Sequence, residues 1–337
     1  MKPTIEILEN ISKNSGKNKD EIFTRLYRYL LRPDLYYIAY QHLYSNKGAA
    51  TKGVDNDTAD GFSREKINNI IKSLSDGSYC PKPVRRTYIA KKNNSSKKRP
   101  LGIPTFTDKL AQEVLRMVLE AVYEPIFSNH SHGFRPNRSC HTALGYLQKD
   151  FTGTTWFVEG DIKGCFDNIN HNVLVNIIGS KIKDARLCQL IWKFLRAGYM
   201  ENWQYNATYS GCPQGGIVSP LLANIYLNEL DKFADKTAAA FRKERTQVHT
   251  TEYNHIAGQI TKYSKLLKTA VGEEKTKCYK KLKELRKLLV KIPCASQTDK
   301  VMKYIRYADD FLIGIKGDRS DCELIKRQFA EFISGTL

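Results

Sequence analysis

The sequence predicts an α+β fold, an antiparallel sheet flanked by helices, and three observations carry that reading. Short runs rich in β-formers end in acids: residues 156–162 close on Asp161, and residues 301–307 and 311–315 bracket Ala308-Asp309-Asp310 as a hairpin. Between such runs lie longer stretches with apolar residues at helical spacing and recognisable start and stop signals. The chain has 337 residues, enough for one large core or two subdomains.

Taken in order, residues 20–45 read as one helix, with Ile22, Leu26, Leu30 and Leu31 on its apolar face. Tyr36, Tyr37, Tyr40 and Tyr44 add aromatic area expected in the core. Residues 46–60 form a glycine-containing polar loop that carries Lys47 and Lys52. Residues 88–104 read as a β-hairpin whose tip, residues 91–99, is a polar loop bearing Lys91, Lys92, Lys97, Lys98 and Arg99. A helix follows over 107–123, with Leu110, Val114, Val118 and Val122 on one stripe and Pro125 beyond its end. After Asp161, residues 163–171 read as a turn and a helix start. Leu187, Leu190, Ile191, Phe194 and Leu195 define another helix, with Gly198 as its stop signal. Ser219 as N-cap and Pro220 in the first turn open a third, whose apolar positions are Leu222, Ile225, Tyr226 and Leu230. Residues 236–300 are strongly basic and read as two amphipathic helices joined near Gly272, through Leu266, Leu267 and Val271, then Leu282, Leu285, Leu288 and Leu289. The last helix, over 319–333, is amphipathic through Leu324, Phe329 and Phe332.

Composition narrows the function. Lys plus Arg number 54 against 35 Asp plus Glu, a net charge of +19, which favours a polyanionic partner such as nucleic acid because phosphate neutralisation releases counterions. The eight cysteines have no Cys-x-x-Cys spacing and mostly lie in apolar surroundings, as expected of reduced, buried thiols. His130-Ser131-His132 has no partner ligands at finger-like spacing, so zinc is not expected. His-Glu-x-x-His and Gly-x-Ser-x-Gly are both absent. No stretch approaches the ~20 apolar residues of a membrane span, and residues 1–9 lack the pattern of a signal peptide. The expected location is the bacterial cytoplasm, with an organelle matrix as the second choice.

The chemistry lies in the acids. Adjacent anions such as Asp309 and Asp310 repel unless solvated or bound to a cation, although Asp in a turn is also ordinary turn chemistry. Asp161 at the end of a second strand supplies a third carboxylate. Three carboxylates from neighbouring strands suit two Mg²⁺ ions, which take hard oxygen ligands and complete their shells with substrate phosphates. Two such ions, roughly 3.5–4 Å apart, serve nucleotide transfer.

Five strings, in order, then resemble one family: residues 99–105 (RPLGIPT), 132–139 (HGFRPNRS), 157–171 (FVEGDIKGCFDNINH), 211–227 (GCPQGGIVSPLLANIYL) and 304–315 (YIRYADDFLIGI). They resemble the reverse transcriptase–maturases encoded by group II introns, over residues from about 50 to 335. The resemblance implies a right-hand polymerase with fingers and palm. It divides the chain into an N-terminal helical extension and basic loop (1–60), fingers (61–155), and a palm (156–337) that includes fingers elements at about 172–205 and a basic helical insertion at 236–300. Members of that family continue into a thumb, which this chain is expected to lack.

The same resemblance implies catalytic roles for Asp161, Asp309 and Asp310, with Mg²⁺ (two ions) held by these acids and the Ile162 carbonyl. Phe166 matches an aromatic that excludes a ribose 2′-hydroxyl, and is otherwise a core phenylalanine. Gln214 and Gly215 match the nucleotide pocket, or else a turn before the next helix. Lys91 and Arg99 match fingers positions that hold the triphosphate, and Lys47, Lys52, Lys92, Lys97 and Lys98 are the accompanying nucleic-acid contacts. Tyr307 either supports the primer end or only packs. The implied partners are group II intron RNA, an RNA template with a DNA primer, and dNTP; a homodimer stays open. The implied function is RNA-directed DNA polymerisation joined to maturase action in splicing and retrohoming. The alternatives are a non-catalytic RNA-binding splicing factor and a retron-type enzyme. The basic insertion reads either as an RNA-binding element or as a solvated helical hairpin.

Overall fold

A computed structural model describes residues 2–46, 48–91, 94–244, 249–292, 294 and 299–337, and the side chains of 91 and 94–97 fall outside that description. Lys47 and Lys92 lie outside the described residues, as do the side chains of Lys91 and Lys97. The chain opens with α1 (Thr4–Lys17), a 3-10 segment (Leu26–Leu31), α2 (Pro33–Tyr44) and α3 (Arg64–Asp76). A hairpin of β1 (Val84–Lys91) and β2 (Asn94–Ile103) leads into α4 (Phe106–Tyr123) and α5 (Cys140–Asp150). Then come β3 (Trp156–Asp161), α6 (Cys165–Asn168), α7 (His171–Lys181), α8 (Ala185–Leu195), β4 (Tyr199–Glu201) and β5 (Gln204–Asn206). The remainder is α9 (Ser219–Phe241), α10 (Thr251–Thr269), α11 (Glu273–Leu289), β6 (Val301–Tyr307), β7 (Asp310–Lys316) and α12 (Arg319–Thr336).

Among the described residues the strands form two sheets. One has the order β2-β1-β4-β5, with β1 parallel to β4; the other has the order β3-β7-β6 and is antiparallel throughout. Strand alternation divides the side chains of the second sheet between two faces. Its inner face carries Met302, Tyr304, Phe311, Ile313 and Ile315, packed with Ile325 and Phe329 of α12 and with Leu230 and Ala234 of α9. The opposite face carries Glu159, Asp161, Tyr307 and Asp310 towards the turn, beside Ile305 and Leu312, which pack with Ala143 and Phe151. A larger core gathers α1–α4, α7 and α8 around the first half of α9. Helix α9 thus belongs to both cores, from Leu221–Leu227 in one to Leu230 and Ala234 in the other.

The expected α+β architecture is the one observed, and several local expectations need correction. Residues 20–45 are not one helix. Arg25 takes a left-handed φ of 57°, and Arg32, just before Pro33, is extended, as proline demands of its predecessor. Ile22 is consequently exposed rather than on an apolar face, and so are Tyr37 and Tyr44, while Tyr36 is fully buried. Helix α1 was not expected at all.

The cationic segment 91–99 is mostly strand instead of loop: pairing runs from Arg85↔Ile103 to Ala90↔Lys98 and resumes at Lys91↔Asn94. Ser219 is the first helical residue, not the cap. Val218 holds the boundary position with no side-chain cap, and the buried Gln112 of α4 secures the approach to the helix, its Oε1 accepting from Ile217 N at 2.8 Å. On α12 the buried position is Ile325, one residue from the expected Leu324. The thiols are less uniformly buried than expected: Cys165 and Cys212 are buried, but Cys80, Cys140 and Cys294 are exposed.

The insertion folds as a helical hairpin, α10 against α11, with Leu282 and Leu285 buried at their seam and Leu266, Val271 and Leu288 exposed.

Candidate active site

Strand register sets the acids side by side. Asp161, last in β3, lies directly opposite Asp310, first in β7. Directly opposed residues of an antiparallel pair share a face, with Cβ atoms about 4.5–5.5 Å apart. Asp310 also pairs with Tyr307, so Ala308 and Asp309 form the two-residue turn between β6 and β7. Ala308 takes φ 57°, the left-handed value that tight hairpin turns require and a non-glycine residue adopts at a cost. The Asp309 carbonyl accepts from Ile162 N at 3.4 Å, tying the turn to the end of β3. The Ile162 carbonyl accepts from Cys165 N at 3.0 Å, which leaves one lone pair free.

Electrostatics follow from this packing. Partial burial and the like charges of Asp309, Asp161 and Glu159 push the Asp310 carboxyl above its ordinary range. Burial beside Asp309 and Asp161 pushes the Cys165 thiol up to about 11. Among the described residues no three His, Cys, Asp or Glu side chains converge as a ready-made metal site. Mg²⁺ binds through one or two carboxylates and takes its other oxygens from water and phosphate. The donors here, Asp161 opposite Asp310 with Asp309 in the turn, are all anionic oxygen, the type that suits the ion.

Beneath the turn is a feature that the strand pattern did not reveal. Arg306, fully buried, pairs with the fully buried Asp231 of α9 through Nε (2.8 Å) and Nη2 (2.7 Å). From the segment between α4 and α5 comes Gly133, at which a Cβ would stand 2.3 Å from Ala308 N; its carbonyl accepts from Asn224 Nδ2 at 2.8 Å. Next to it, Phe134 is exposed at φ 55° and meets Phe166 edge-on, ring centroids 6.1 Å apart.

Phe166 and Gln214 share a cavity of about 400 Å³ between the first sheet and the loop before α9. Gln214 Nε2 donates to the Asp167 carboxylate at 3.3 and 3.4 Å, and its carbonyl accepts from Gly102 N at 2.6 Å. Gly215 sits at φ 106°, where a Cβ would stand 2.5 Å from the Gly102 carbonyl. That contact stitches the loop to β2. Arg86 lines this cavity and stacks on Tyr199 at 3.5 Å. Arg99 does not line it: Pro100 and Gly102 do, and alternation turns Arg99 to the other face of β2, where it is exposed. Lys98 is exposed on β2, and Lys52 is exposed near Asn56, away from the acids' sheet.

Arg306, Asp231, Gly133, Phe134, Arg86 and Asp167 were all missed. A signal existed for the first pair. Arg306 falls at an inward position of an alternating strand, and Asp231 interrupts an apolar helix face; two opposite charges at core positions call for each other.

Comparison with known proteins identifies the family. A profile described as reverse transcriptase (RNA-dependent DNA polymerase) matches residues 89–335. The chain is 62% identical over its full length to the group II intron-encoded protein LtrA of Lactococcus lactis subsp. cremoris, and spans 56% of that protein. It is 32% identical to protein YkfC of Escherichia coli over 93% of this chain and 76% of the relative. It is 27% identical to nuclear intron maturase 1, mitochondrial, of Arabidopsis thaliana over 68% of this chain and 36% of the relative. With the match running over residues 89–335, which include β2, Phe166, Gln214 and the opposed acids, the chain belongs to the reverse transcriptase (RNA-dependent DNA polymerase) family.

Proposed function

We propose that this chain carries the polymerising centre of a group II intron-encoded reverse transcriptase that also binds its intron RNA as a maturase. The observation that carries the reading is the register pairing of Asp161 with Asp310, next to Asp309 in the turn. A pure RNA-binding surface gains nothing from crowded carboxylates facing phosphate. The similarity to LtrA and to a maturase supports the intron RNA as partner, as does the +19 charge.

In this reading Asp161, Asp309 and, less directly, Asp310 hold two Mg²⁺ ions, with the free lone pair of the Ile162 carbonyl as a further donor. Bound there, Mg²⁺ supplies Lewis-acid chemistry, lowering the pKa of a primer 3′-hydroxyl and neutralising charge on the departing pyrophosphate. The protein's own part is placement. Phe166, braced by Phe134, forms the wall at the sugar of the incoming dNTP, and Gln214 with Gly215 forms the floor beside it. Arg86 is the cation nearest this cavity. Lys91 and Arg99 reach the triphosphate from the hairpin only if it leans over the acids, with Lys98 and its neighbours on the template. Residues 61–155 then act as fingers and 156–337 as palm, the β4–β5 unit joining the fingers sheet. The insertion lays its basic face on RNA. Among the described residues no helix is long and apolar enough to cross a membrane, and the relative LtrA is bacterial; the cytoplasm is the proposed site of action.

The test is primer extension on an RNA template with Mg²⁺ and dNTP, run beside Asp309→Ala. The variant is expected to lose about three orders of magnitude in rate, since a metal-ion clamp contributes several kcal/mol to such a transition state. Equal extension by both proteins would remove the polymerase reading.

A further inference from the structure

The guanidinium of Arg306 uses every donor it has. Nε and Nη2 reach the two oxygens of Asp231 at 2.8 and 2.7 Å, and Nη2 also reaches Ser131 Oγ at 2.8 Å. Nη1 reaches Asn224 Oδ1 at 3.1 Å and the Ala308 carbonyl at 2.7 Å. Five N–H groups and five acceptors leave nothing unsatisfied. The backbone joins in: Arg306 N donates to the His130 carbonyl at 2.8 Å, and its own carbonyl accepts from His132 N at 2.9 Å. Tyr304 OH adds a bond to Asp231 Oδ1 at 2.9 Å.

Stability alone does not account for this arrangement. A buried ion pair loses hydration on both members, and apolar residues of similar volume commonly hold a core as well or better. Nor does Arg306 stand in for a metal, because Asp231 cancels its charge and the three surface carboxylates stay uncompensated. What an apolar residue cannot do is hold the Ala308 carbonyl. That carbonyl belongs to the left-handed residue of the acidic turn, whose conformation must be enforced from outside.

We infer that Arg306, clamped by Asp231, is a positioning residue that locks the Ala308-Asp309 turn so that the Asp309 carboxylate meets a divalent cation shared with Asp161. This inference rests on the proposed metal-binding role of the acids. Arg306 touches neither cation nor nucleotide; it acts through one carbonyl. Asn224 extends the same clamp, receiving Nη1 while donating to the Gly133 carbonyl behind the turn.

Mn²⁺ is the probe, because its binding to the whole 337-residue chain can be read by calorimetry and by spin resonance without any turnover. Arg306→Lys keeps a charge opposite Asp231 but cannot also span to the Ala308 carbonyl. It is expected to weaken Mn²⁺ binding about 10–100-fold, the usual effect of losing a group that orients a metal ligand. Ile325→Ala, in the core under the same sheet, serves as a control that loses stability while keeping wild-type Mn²⁺ affinity. Equal affinity in wild type and Arg306→Lys overturns the inference while leaving the metal site standing. A wild-type chain whose Mn²⁺ binding is absent, or unchanged by Asp309→Ala, overturns both. Should Arg306→Lys fail to fold, Asn224→Ala leaves the ion pair intact and is expected to weaken Mn²⁺ severalfold; unchanged affinity in that folded variant also overturns the inference.

Discussion

Around the acidic turn the contacts come from far away in sequence: Arg306 reaches Asp231, Asn224 and Ser131 across 75, 82 and 175 residues. In the helical insertion the contacts are between neighbours. Helices α10 and α11 pack on each other, α10 has no buried residue, and α11 buries only Leu282 and Leu285. Both regions are rich in charge, yet they handle it differently. The turn forces like charges together and fixes the backbone beneath them with a neutral buried pair. The insertion spreads its lysines over solvated faces, where each costs little. A site for chemistry demands a backbone held from several sides; a surface for binding phosphate needs only charge on a simple support.

Three substitutions bear on that contrast. The largest effect is expected from Leu285→Ala, which empties the seam of the insertion at a cost of about 2–4 kcal/mol. Amide exchange in α10 and α11 should accelerate while β6 and β7 stay protected. Faster exchange in both places would show that the insertion is coupled to the sheet and break the comparison. Gly133→Ala is next, at about 1–3 kcal/mol, because the new methyl meets the Ala308 backbone and not a flexible side chain. Here exchange should rise at the turn and leave the insertion alone, the reverse pattern.

The smallest effect concerns charge. Because the Asp310 carboxyl is raised in the fold by burial and by Asp309, Asp161 and Glu159, its stabilising contribution is fully present below the ordinary carboxylate range. That contribution is lost as pH rises through the raised value. Metal-free protein should therefore soften slightly as pH rises from the ordinary carboxylate range. Asp310→Asn should flatten that slope and raise the neutral-pH thermal midpoint a little, and divalent cation should restore stability to the wild type only. A slope unchanged by the substitution would mean that the acids are too well solvated to repel.

Much was legible beforehand. The two runs around Ala308-Asp309-Asp310 are short and rich in β-formers, and their spacing already places the two adjacent acids at the turn of a hairpin. The helices at 106–123 and 185–195 announced themselves through apolar spacing and end signals. Errors arose where a local signal met a non-local competitor. Ser219 offers a cap, but the helix already includes it, and Gln112 from another helix holds the segment just before, at Ile217 N. A polar, cationic stretch looks like a loop, yet its backbone pairs as strand, because ladder bonds are indifferent to the charge of outward side chains. Residues 20–45 have helical spacing, but Pro33 forbids a helical Arg32.

The sequence by itself determined the acids at the ends of short β-forming runs, the surplus of positive charge and the family motifs, since all of these reside in residue type and short spacing. Only the tertiary structure decided that Asp161 stands opposite Asp310, that Arg86 and not Arg99 lines the cavity, and that Arg306 grips the turn. Those facts depend on register and on side chains meeting across distant segments, and no local propensity encodes a partner 175 residues away.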